Sequence, residues 1–223
     1  MQTMTVLCDS FHLFRRHFWA IARLCLPLIV LEAICIQLID MVTSENSVLA
    51  YRLMLPLLFM PLYTAALLLF LDARSLGAKP PDRDLWSTAI RAWPAFIGLM
   101  LLSGILLLTG AILLLVPCLW LMVKFSVSQP LLVLRGLGPT AAVRESFAMT
   151  RGHFWPVLGC VVGVGIPVMV LVFGSEFIYP WSRSPLSGVV VGSALIFIQL
   201  FGAIVEYRLY TELAEAQATP LCA

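Results

Sequence analysis

Trp93-Pro-Ala-Phe-Ile-Gly-Leu-Met-Leu-Leu-Ser-Gly-Ile-Leu-Leu-Leu-Thr-Gly-Ala-Ile-Leu-Leu-Leu-Val-Pro-Cys-Leu-Trp-Leu-Met-Val-Lys-Phe-Ser-Val-Ser-Gln-Pro-Leu-Leu-Val-Leu134 is a run of 42 residues with one formal charge, Lys124. A helix rises about 1.5 Å per residue, so such a run is about 60 Å long. The hydrocarbon core of a bilayer is about 30 Å thick. The run therefore predicts two crossings, residues 93–115 and 117–134, with Pro117 where the hairpin turns.

The flanking sequence repeats the pattern. Upstream, residues 18–39 and 49–71 are apolar, separated by the polar turn Asp40-Met-Val-Thr-Ser-Glu-Asn-Ser47. Downstream, residues 155–174 and 187–207 are apolar, separated by a segment whose Tyr179 and Trp181 suit the membrane interface. The prediction is an all-α polytopic membrane protein: one six-span domain over residues 1–223. Composition agrees. The chain is 61% hydrophobic and 12% charged, against about 25% charged in soluble domains. Arg15 and Arg16 precede the first apolar run as in a signal peptide, but that run is too long for one and no small-residue cleavage site follows promptly. It reads as a retained span.

Six spans place both termini on one side, and the charges choose the side. Arg15, Arg16, Arg23, Arg74, Lys79, Arg83, Arg91, Arg135, Arg144, Arg151 and Arg208 lie on or beside the segments shared with the termini, 11 of the 14 basic residues. Only Arg52 and Arg183 lie opposite. Positive charge accumulates on the cytoplasmic side, so both termini are expected there. The net charge of +2 is too small to suggest a nucleic-acid partner.

An eleven-residue motif occurs twice. Asp9-Ser-Phe-His-Leu-Phe-Arg-Arg-His-Phe-Trp19 aligns with Glu145-Ser-Phe-Ala-Met-Thr-Arg-Gly-His-Phe-Trp155 at an offset of 136, with six identities. A weaker third copy, residues 85–94, ends in Arg91, Trp93 and Pro94. Each copy leads into an odd-numbered span, so the chain reads as three parallel hairpin repeats, each opened by a cytoplasmic interfacial helix. On a helix Leu7, Phe11, Phe14 and Phe18 form one stripe, and that stripe is expected in the acyl boundary. Trp19, Trp93 and Trp155 are expected to anchor the crossings. Orientation and anchoring are the main reading of the motif. Its functional alternative is anionic-lipid contact by Arg15, Arg16, Arg144 and Arg151.

Ionisable groups inside spans are costly and point to function. Glu32 and Lys124 lie at equal depth in spans one and four, which permits an intramembrane ion pair. Gln37, Gln129 and Gln199 are expected to hydrogen-bond between helices. Gly159-xxx-Gly163 and Gly188-xxx-Gly192 permit close helix contact. Pro27, Pro56, Pro61, Pro130 and Pro167 are candidate kinks. The six cysteines and three histidines have no metal-ligand spacing, and no catalytic motif is present. No enzyme activity, metal or cofactor is expected.

Residues 116–155 carry a resemblance. Pro117, Pro130, Ala142, Ser146, Thr150, Gly152 and Trp155 match the pattern of the YciC-like bacterial inner-membrane proteins. The membrane domain fused to some glycerophosphodiester phosphodiesterases is similar. Cys118 stands where the family's turn has Gly. The resemblance implies a location in the bacterial inner membrane and no phosphodiesterase activity, since no such domain is present. The resulting expectation is a non-enzymatic protein of envelope maintenance whose partners are membrane lipids and other inner-membrane proteins. The alternative is a small transporter or lipid-handling protein with a site between the hairpins.

Overall fold

A computed structural model describes residues 3–42, 45–78, 80–113, 115–178 and 185–218. Every regular element among them is helical: α1 (Thr3–Val42), α2 (Glu45–Ser75), α3 (Asp82–Leu113), α4 (Leu115–Phe125), α5 (Ser128–Arg135), α6 (Pro139–Met149), α7 (Phe154–Ile178) and α8 (Pro185–Ala218). Six stretches are long and apolar enough to cross a membrane; α4 and α5 together make the fourth, over Pro117–Arg135. The chain is a multi-pass integral membrane protein.

The outer surface follows from that solvent. Leu53, Ile105, Leu108, Ile166 and Val170 are exposed, as lipid-facing side chains should be, because hydrocarbon imposes no cost on them. The tightly packed residues lie inward: Ile21, Cys25 and Ile29 of α1, Leu67 and Leu68 of α2, and Phe96 of α3. Short α5 runs through this interior, with Pro130, Leu131, Leu132 and Val133 buried against α2, α3, α6 and α8.

Several expectations change. The first motif copy is no separate surface helix, because α1 continues from Thr3 to Val42 without a break. Its stripe packs on protein as well as facing outward: Phe14 meets Phe197 and Phe201, Phe18 meets Phe197, and Leu7 approaches Gly163. Pro117 lies inside α4 rather than at the turn; residue 114, between α3 and α4, lies outside the described residues, as do Tyr179 and Trp181. The helices run on through Pro27, Pro56, Pro61 and Pro167. Of the five candidate prolines, Pro130 alone sits beside a break.

The Gly159-xxx-Gly163 face does bring helices close. A Cβ at Gly159 would stand 2.9 Å from Thr3 Cγ2, and one at Gly163 3.2 Å from Leu7. Small residues are what let α1 lie directly on α7. Thr3 also donates to the Pro156 carbonyl at 3.4 Å. At Gly192 the neighbour, Ala33, is at an ordinary 3.9 Å.

Candidate functional site

The site begins as a backbone problem. Helix α4 ends at Phe125 and α5 starts at Ser128, so the last carbonyls of α4 lose the amides that a continuing helix would supply. Pro130 adds to the break because it has no N–H to give. In a membrane interior each unpaired carbonyl costs several kcal/mol. Three serines resolve this. Ser126 Oγ donates to the Val123 carbonyl at 2.8 Å, Ser128 Oγ to that of Phe125 at 2.6 Å, and Ser146 Oγ, from α6, to that of Lys124 at 2.5 Å. All three serines are buried.

The Ser146 bond is half of a clasp. In the other direction Lys124 Nζ donates to Thr150 Oγ1 at 3.1 Å and to the Phe147 carbonyl at 3.5 Å. Thr150 Oγ1 in turn donates to the Ser146 carbonyl at 2.8 Å. The ammonium also lies 5.8 Å from the Trp120 ring centre and 5.9 Å from that of Phe147, distances at which ring faces attract cations. Lys124 is only 7% exposed.

Lys124 does not meet Glu32. The two ion pairs among the described residues are Arg52–Asp40 at 2.7 Å and Arg135–Glu145 at 3.5 Å. Glu32 instead lies beside Tyr63 of α2, and its Oε2 is buried without a partner. Lys124 is held at α6, whereas Glu32 sits between α1 and α2, so the expected pair does not form. Lys124 is therefore a buried cation with no carboxylate partner among the described residues.

What faces Lys124 is a cavity. A space of about 570 Å³ is lined by Trp120, Lys124, Phe147, Thr150, Arg151, Gly152 and Phe154. A neighbouring space of about 520 Å³ shares Phe147 and Arg151 and adds Arg144. The start of α7 borders the first space, and its leading amides at Phe154 and Trp155 lack intrahelical acceptors. Lys124, Arg151 and a helix N-terminus thus border one space, with Arg144 on the adjoining one, an arrangement that favours an anion. Of the four predicted lipid-contact residues, Arg144 and Arg151 join this group. Arg15 and Arg16 are exposed on α1 and line neither space.

No family model, curated protein or solved structure matches this chain. The chemistry of the site rests on its own residues.

On the other face of α4 lies a second, different cavity. A space of about 370 Å³ is lined by residues of α3, α4, α5, α7 and α8, among them Ser103, Ser126, Ser128, Gln129 and Glu206. A smaller one of about 100 Å³, lined by Tyr63, Thr64 and Gln199, shares Gln129 and Glu206 with it. Glu206 was missed in the sequence because it stands at the end of span six, where a charge ordinarily reaches water. Gln129 and Gln199, expected as helix-to-helix partners, line these cavities, and Gln129 Oε1 has no partner.

Proposed function

We propose that this protein binds the headgroup of an anionic lipid at Lys124, Arg151 and Arg144, as a non-enzymatic protein of a bacterial inner membrane. The observation that carries the reading is the buried Lys124 ammonium, which opens on a cavity with Arg151 and has no carboxylate of its own. An uncompensated charge in an apolar setting is costly. A lipid phosphate would offset it, accept from Nζ and Arg151, and meet the amides at the start of α7. The basic side of the chain supports cytoplasmic termini, and the resemblance of residues 116–155 supports a role in envelope maintenance. A reporter fused after Arg83 is expected to read cytoplasmic; an extracytoplasmic signal refutes the orientation.

The direct test is purification in native lipid discs, with mass spectrometry of the retained lipids. Each basic residue near anionic lipid contributes about 1 kcal/mol, or about fivefold in retention. Lys124→Met and Arg151→Ala are each expected to lower the ratio of retained phosphatidylglycerol and cardiolipin to phosphatidylethanolamine by about that factor. Unchanged ratios in both variants refute the reading. Arg15→Ala, outside the cavity, is expected to leave the ratio unaltered.

A further inference from the structure

The second cavity asks for the opposite ligand. Most of its polar lining consists of acceptors, and the Gln129 amide adds the donors of its –NH2 group. Ser103, Ser126 and Ser128 direct their hydroxyl hydrogens to the carbonyls of Met100, Val123 and Phe125. Their oxygens keep lone pairs and have no hydrogen left to offer. Glu206 Oε2 is buried with no donor, and so is one end of the Gln129 amide. Both residues stand where the two cavities adjoin. No ion pair involving Glu206 occurs among the described residues.

A carboxylate oxygen that is buried without a donor is costly in a membrane interior. A proton offsets that cost, and so does a ligand that brings hydrogens or positive charge. The rest of the lining narrows its form. Leu99, Met100, Leu107, Met122, Phe125 and Val161 make most of the wall. A bare metal ion needs oxygen on most sides, and this wall does not supply it. A volume of about 370 Å³ falls in the range of small-molecule pockets, about 300–1,000 Å³. An apolar wall with a few fixed polar groups is how such pockets hold an amphipathic molecule.

We propose that this cavity binds an organic ammonium compound, its charged head at Glu206 and Gln129 and its apolar body against α3 and α4. This site is independent of the lipid reading. Met122 and Phe125 face the acceptor cavity, whereas Trp120 and Lys124 face the basic one. Helix α4 thus separates a site for a cation from a site for an anion.

The test uses the full-length protein in lipid discs with hexylammonium as the probe. Hexanol supplies the same apolar body without charge, and sodium chloride the charge without the body. Calorimetric binding is expected for hexylammonium alone. Glu206→Gln is expected to weaken it about tenfold or more, the loss typical of a hydrogen bond to a charged group. Gln129→Leu removes a neutral partner and is expected to weaken it about threefold. Equal binding of hexanol, displacement by sodium, or an unaltered affinity in Glu206→Gln overturns the proposal.

A second readout needs no variant. Dicyclohexylcarbodiimide modifies membrane-buried carboxyl groups, and peptide mass spectrometry locates the adduct. Hexylammonium is expected to protect Glu206 while leaving Glu32 labelled. Labelling of Glu206 that is indifferent to hexylammonium also overturns the proposal. Lipid retention measured on Glu206→Gln separates the two readings: it is expected to match the unsubstituted protein even where ammonium binding is lost.

Discussion

Residues 9–19 and 145–155 share six of eleven residues, yet they build different structures. The first copy lies inside an unbroken 40-residue helix. The second is a corner: α6 ends at Met149 and α7 begins at Phe154. The deciding position is one residue in the motif. Where the first copy has Arg16, the second has Gly152, with φ at +81°. Only glycine takes that left-handed conformation freely, so the chain turns there and nowhere in the first copy. The shared serine then serves two purposes. Ser10 donates to Val6, a carbonyl of its own helix, at 2.7 Å. Ser146 reaches across to the broken end of α4. At the position of Phe14, which packs on Phe197 and Phe201, the second copy has Thr150, which accepts from Lys124. One copy is packing and the other is a polar site.

The largest effect is expected from the serines. Ser146→Ala strips a buried carbonyl of its partner, which costs about 1–3 kcal/mol. Ser10→Ala leaves Val6 its helical amide, so it is expected to stay within about 0.5 kcal/mol. Reversible unfolding in mixed detergent micelles measures both. Equal losses would mean that the clasp to Lys124 contributes nothing to the fold. Ser146→Ala should also reduce anionic-lipid retention, because it loosens the segment that carries Thr150.

Next come the residues that set the corner. A Cβ at Gly152 meets nothing within 4 Å, so Gly152→Ala suffers only backbone strain, about 1–2 kcal/mol. The reverse change, Arg16→Gly, puts glycine inside a helix and is expected to cost about 1 kcal/mol. Both directions should therefore destabilise. If Gly152→Ala proves neutral, the corner is not what distinguishes the copies, and the account of α6 and α7 above is wrong.

Much of this was legible in the sequence, but unevenly. The six crossings follow from length and hydropathy alone, since residues 93–134 can be nothing else at about 1.5 Å per residue. The motif was visible as identity. Its divergence was visible too, in Arg16 against Gly152, but a lone glycine near a span end does not reveal its φ. The break before Pro130 had a signal in Ser126-Val-Ser-Gln-Pro130: two hydroxyls next to a residue without an N–H. The Glu32–Lys124 pair failed because span position does not say which neighbouring helix a side chain meets: Lys124 turns to α6 and Glu32 to α2. Glu206 escaped because it stands next to the predicted end of its span, and packing of α2, α5 and α7 on α8 turns that end inward.

The smallest effect tests what the copies still have in common. Trp19 and Trp155 are 84% and 77% exposed, and each stacks edge-on against the phenylalanine before it, at 5.9 and 5.5 Å between ring centres. Neither depends on the corner or on the clasp. Their exposure and their place at the start of a crossing predicted from the sequence fit an interfacial anchor, which prefers the headgroup region to either neighbour. Trp19→Ala and Trp155→Ala are thus expected to change stability in lipid discs equally, to within about 0.5 kcal/mol. A much larger loss at Trp155 would tie the anchor to the Lys124 site, and the two halves of the motif would then have to be treated as one unit. Equal, small losses would separate them: Phe-Trp holds the chain in the membrane in both copies, and the residues before it decide whether the approach is a straight helix or a binding site.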